Sequence, residues 1–123
     1  MENKKVCSGG PTLIFSCSGA ADVGGVSDLA ARKLTQEGVG SMFCLAGVGG
    51  RVDPIMEKTR SASQVLAIDG CGLDCVKKTL ELAEIPNVKH LRVTDLTMEK
   101  GKSPATEENI EVVVTQARAM LQG

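Results

Sequence analysis

With 123 residues, 42% of them apolar, the chain has the size and composition of one self-folding domain, and two aromatics, Phe15 and Phe43, leave it an aliphatic core. Fourteen Lys and Arg against fifteen Asp and Glu give no basic excess to hold a phosphate backbone, and there is no Trp or Tyr to stack on bases, so nucleic acid is excluded as a partner. No stretch approaches the ~20 apolar residues that cross a bilayer. The opening Met1-Glu2-Asn3-Lys4-Lys5 lacks an apolar signal core, so neither a membrane nor export is expected and the location reads as cytoplasmic.

Residues 1–10 read as a flexible lead-in and 11–123 as a single α/β domain. The apolar run 12–16 predicts a first strand. The turn from Cys17 to Gly25 opens a helix over 26–37, with Val26, Leu29, Ala30 and Leu34 at helical spacing and Gly38 as its stop. A second strand follows at 40–44, then a glycine-rich loop at 45–50. Asp53-Pro54 reads as the N-cap and first position of a short helix ending near residue 60.

A third strand spans 64–69. The next helix, over 73–83, carries Leu73, Val76, Leu80 and Ala83 on one face and is broken by Pro86-Asn87. The fourth strand is predicted at 89–93, followed by a polar loop with Gly101 and Pro104. The last helix starts near Thr106, a capping candidate, and its buried face is Ile110, Val113, Val114, Ala117 and Leu121. Strands and helices alternate throughout. Right-handed crossovers then favour a Rossmann-like or flavodoxin-like three-layer domain, whose parallel sheet of about four strands runs in the order 2-1-3-4.

That topology gives the cysteines their meaning. Cys17, Cys44 and Cys71 each end a strand-like run, and Cys75 follows four residues after the third. The carboxyl ends of parallel strands share one edge, where ligands bind, and strands 2, 1 and 3 are neighbours about 4.8 Å apart. Four thiolates there suit a tetrahedral zinc ion without any histidine. The single histidine, His90, falls on the fourth strand at the far edge. Cys71 and Cys75, at i and i+4 around a helix start, are expected on one side of it, where the helix N-terminus favours thiolate. Asp22, Asp69 and Asp74 are candidate outer acceptors or spare ligands. Cys7 falls outside the pattern and reads as a tail thiol able to fold back over the site. The plain alternative is that these cysteines are small apolar core fillers.

At these residues the chain resembles the DGC-domain family. The resemblance covers about residues 13–96. It rests on Cys17-Ser18-Gly19, Cys44-Leu45-Ala46-Gly47 and Asp69-Gly70-Cys71-Gly72-Leu73-Asp74-Cys75. The family's four proposed chelating cysteines map onto Cys17, Cys44, Cys71 and Cys75. What the resemblance implies is zinc binding; it supplies no reaction.

Other motifs are weaker. Gly47-Val48-Gly49-Gly50 follows a strand, but Val52 stands where a dinucleotide fingerprint needs its third glycine. Gly101-Lys102-Ser103 ends like a phosphate loop, yet Leu96 replaces the first glycine, and Asp69 reads as a cap or turn residue rather than a base. Cys17 before a helix resembles the phosphocysteine loop of sugar-transport phosphocarriers, with backbone amides to hold an oxyanion. A cysteine phosphatase needs Arg six residues after its cysteine; position 23 is Val, and Arg51 follows Cys44 by seven. Thiol or sulfur chemistry at Cys71 or Cys75 uses the same residues as the metal reading. An iron–sulfur cluster is a lesser option that colour would reveal. A 123-residue core that folds alone makes the metal a functional group rather than a folding clip, although all-thiolate sets are commonly structural.

Overall fold

The computed structural model describes residues 10–122. The expected lead-in and Cys7 therefore lie, Gly10 apart, outside the described residues. β1 (Thr12–Ser16), β2 (Ser41–Met42), β3 (Gln64–Asp69) and β4 (Val88–Arg92) form one all-parallel sheet in the order β2-β1-β3-β4. This is the predicted order. β1 and β3 have the predicted bounds, β4 is shifted one residue earlier, and β2 is shorter than the predicted 40–44 because Cys44 already caps the next helix. In register, Ser16 stands opposite Ile68, and Cys17 extends the ladder by donating its N–H to the Ile68 carbonyl at 3.0 Å.

Five helices cover the two faces: α1 (Asp22–Gln36), α2 (Leu45–Gly49), α3 (Asp53–Arg60), α4 (Cys75–Leu82) and α5 (Glu107–Gln122). Strand alternation decides which residues face which layer. Ile14, Leu66 and Ile68 pack against α1 and α5 through Val26, Ala30, Val113 and Ala117. Leu13, Phe15, Val65 and Ala67 point the other way, onto Val48, Met56, Val76 and Leu80 of α2, α3 and α4. Both aromatics lie on this second side, Phe15 edge-on to Phe43 with ring centroids 6.1 Å apart. The result is the expected three-layer α/β/α domain. No helix among the described residues is long and apolar enough to cross a membrane.

The helices depart from expectation at their starts. α1 begins at Asp22, four residues early, so Gly24 and Gly25 are helical rather than part of a turn. Gly24 packs closely there, since a Cβ would come within 3.1 Å of the Gly19 backbone. Leu29, assigned to the buried face, is 41% exposed. The glycine loop at 45–50 is instead the short helix α2, capped by Cys44, whose Sγ accepts the Gly47 N–H at 3.2 Å. Gly47 also lets α2 approach α3, since a Cβ would meet Ile55 at 2.7 Å. Val52, not Asp53, is the N-cap of α3, with Asp53 in its first turn.

α4 starts at Cys75 rather than residue 73, because Asp74 adopts a left-handed conformation (φ 55°) that no helix continues. Leu73 is consequently 61% exposed in the preceding turn, not on a buried helical face. Thr106 caps α5 as predicted, accepting the Asn109 N–H at 3.2 Å.

Candidate functional site: a thiol-bearing sheet edge

Cys17 directly follows β1, Cys71 follows β3 by two residues, Cys44 follows β2 by two and caps α2, and Cys75 opens α4. All four are free thiols; Cys17 and Cys71 are half-buried, Cys44 and Cys75 exposed. Because the sheet is parallel, all four belong to its carboxyl edge. Cys17, Cys71 and Cys75 line one cavity of about 210 Å³, together with Ala21, Leu73 and Lys100. Cys17 and Cys75 also border an adjoining cleft of about 510 Å³ walled by Leu45, Ala46 and Thr79. Cys44 lines neither, although it immediately precedes Leu45. No three cysteine sulfurs among the described residues gather within 4.8 Å of one another. The i, i+4 argument for Cys71 and Cys75 does not apply, since Cys71 precedes the helix; the Asp74 turn brings the pair to one cavity instead.

The Asp69-Gly70-Cys71 triplet has a physical division of labour. Asp69 is 1% exposed and ends β3 on the α4 side. Its carboxylate accepts the Val76 N–H at 2.7 Å and the Lys77 N–H at 3.1 Å, satisfying two of the orphan donors at the start of α4. It caps the helix that presents Cys75. Gly70 follows where β3 touches α1, and a Cβ there would stand 2.9 Å from Gly24 N and Val23 C. Any side chain would force α1 away from the sheet. Cys71 then turns into the cavity.

His90 Nε2 donates to the second Asp69 oxygen at 2.9 Å and lies 3.6 Å from Asp74. Asp74 takes Arg92 Nε at 2.9 Å and Nη2 at 2.6 Å. The Arg92 hydrogen bond holds the Asp74 carboxyl below the usual carboxylate range, against the opposing effect of burial. Asp69, Asp74 and His90 bring ligand atoms within 4.8 Å of one another. Their chemistry is nevertheless that of a closed hydrogen-bond network: each carboxylate oxygen already has a donor, and the Arg92 cation sits where a metal ion would be repelled. The network locks α4 to β4, which is why His90, correctly placed on the fourth strand, still reaches the end of β3.

Asp22 is likewise engaged. Its two oxygens accept the Gly101 N–H at 2.9 Å and the Ser103 N–H at 3.0 Å. Those backbone donors, Gly101 first, keep its carboxyl below the usual range. None of the three aspartates is therefore a spare ligand. Asp22 instead ties the 99–103 loop to the start of α1, and the loop carries Lys100 to 3.8 Å from the Cys71 Sγ. Sequence reasoning missed Lys100. Nothing local marks it, because 29 residues separate it from Cys71.

Fold and edge define a parallel α/β domain with an array of free thiols at the carboxyl edge of its sheet. The chain belongs to the DGC-domain family, whose profile matches residues 13–117. It is also similar to the anaerobic and virulence modulator AnvM of Pseudomonas aeruginosa PAO1, 35% identical over 88 residues that cover 72% of this chain and 67% of that protein. No solved structure matches the chain.

Proposed function

We infer that the domain binds zinc through the thiolates of Cys17, Cys44, Cys71 and Cys75. The observation that carries this reading is the collection of four free cysteines on one sheet edge, three of them around a single cavity. The donor set suits the ion: zinc takes four thiolates tetrahedrally at ~2.3 Å, which brings sulfurs to roughly 3.8 Å from each other. Reaching that spacing is a matter of side-chain rotation and of the exposed pair Gly72-Leu73 between Cys71 and α4, since the strand ends themselves are neighbours. Asp69, by capping the start of α4, fixes the turn of helix from which Cys75 projects. Bound zinc, closed by four thiolates, would supply a regulatory centre at this edge. The core that faces the sheet is complete without it, so the ion is a functional group and not a folding clip. A modulating role, the word in the name of AnvM, is compatible with such a centre.

The test is elemental analysis of protein purified without added metal, combined with thiol titration before and after chelation. We expect close to one zinc per chain and four thiols masked until the chelator is added. Cys44→Ser and Cys71→Ser should lose the metal while keeping the circular dichroism and cooperative melting of the parent. Zinc far below one per chain with all thiols reactive would overturn the reading in favour of thiol or sulfur chemistry at Cys17 or Cys71. A brown protein would reassign the same ligands to an iron–sulfur cluster. A serine variant unfolded at room temperature would make the ion structural.

A further inference from the structure

We propose that Lys100 is the counter-cation of the thiolate site, offsetting negative charge that the cysteines leave on the bound metal. This rests on the zinc reading above and adds to it a residue from outside the cysteine set. When four thiols bind Zn²⁺ they release four protons to solvent, and four thiolates on a dication leave a net charge of two minus. An anionic centre at a half-buried edge needs a nearby positive group, and N–H donors to sulfur stabilise it further.

Lys100 is placed to serve in both ways. Its ammonium lies 3.8 Å from the Cys71 sulfur and lines the cavity that Cys17, Cys71 and Cys75 share. Its position is built rather than incidental. The backbone on both sides is held, because Asp22 accepts the Gly101 and Ser103 amides and Ser103 Oγ accepts the Glu99 N–H at 2.8 Å. The loop is thus anchored to the start of α1, next to Cys17. The neighbouring cations are committed elsewhere: Lys102 pairs with Glu99 and Arg92 with Asp74. Lys100 has no carboxylate within ion-pair distance among the described residues, and its contact is the thiol.

The experiment compares the parent with Lys100→Gln and Lys100→Arg. The side chain is exposed, so neither change should disturb folding. Zinc affinity is read by competition with a chromophoric chelator. In metal-free protein, Cys71 is alkylated with anionic iodoacetate and with neutral iodoacetamide, using Cys44, outside that cavity, as internal reference. We expect Lys100→Gln to weaken zinc binding roughly five- to ten-fold, from one lost charge at about 4 Å. Its Cys71 should lose preference for iodoacetate relative to Cys44, and Lys100→Arg should retain both properties. Equal zinc affinity in parent and Lys100→Gln overturns the proposal and leaves the zinc reading intact. An unchanged reagent preference at Cys71 also overturns it, because no cation then acts on that sulfur. If no protein takes up zinc, the zinc reading fails and the counter-cation falls with it.

Discussion

Replacing Asp69 by alanine isolates what the first residue of the Asp-Gly-Cys triplet contributes. The carboxylate accepts from the Val76 and Lys77 amides and from His90, at 2.7, 3.1 and 2.9 Å. Val76 is fully buried, so its amide has no easy access to water once the acceptor is gone. An unsatisfied buried donor costs about 1–3 kcal/mol, and loss of a helix cap typically about 1 kcal/mol. Lys77 and His90 are only half-buried and can be rehydrated. The expected destabilisation is therefore about 2–4 kcal/mol, below the ~5–15 kcal/mol of a typical domain, so the variant should fold. At this chain length that corresponds to a melting temperature lower by about 8–16 °C. Urea unfolding measures the energy, and hydrogen exchange locates it, with the Val76 and Lys77 amides exchanging faster than those in the middle of α4. A loss under about 0.5 kcal/mol, the range of an ordinary surface change, with unaltered exchange at the two amides would refute the capping argument.

Gly70→Ala should cost about 1–3 kcal/mol in urea unfolding, because its Cβ would meet Gly24 and Val23 backbone at 2.9 Å, whereas Gly72→Ala, with open space around it, should be near neutral. Equal stabilities for the two variants would show that β3 and α1 do not meet at Gly70. Acid should weaken the domain through the Asp74–Arg92 pair. A carboxyl held below its ordinary value of 3.8 contributes fully above that value and loses its contribution as pH falls through the folded one. The stability gap between parent and Arg92→Gln should thus be widest above about pH 5 and close toward pH 2, and a gap independent of pH would argue against the ion pair.

Much of this molecule was legible because its strands are short, apolar and bounded by glycine or cysteine. Thr12–Ser16 and Gln64–Asp69 are buried on both faces, and such strands read as continuous apolar runs. The alternation with helices then fixed the sheet order, and the sheet order put the four cysteines on one edge. Helix starts were less legible. The α2 cap is a thiol sulfur, which capping rules built on Ser, Thr, Asp and Asn do not anticipate. Asp74 turns left-handed without being glycine, so Leu73 looked like the first turn of a buried helical face. The links through Asp22 and His90 join residues 79, 81 and 21 positions apart and leave no local pattern. Only tertiary packing reveals that all three aspartates act as clamps.

The outer strands have a consequence for how this domain meets other chains. β2 offers just Ser41 and Met42 to the ladder, too little backbone to template a further strand. On the other flank, β4 is tied inward by its side chains, Lys89 donating to Gln64 and to the Met120 carbonyl and Arg92 to Asp74. The two-residue β2 in particular is a poor template for a strand of a second copy. Surface for contact with another protein is left to the helices of both faces and to the cysteine-bearing rim.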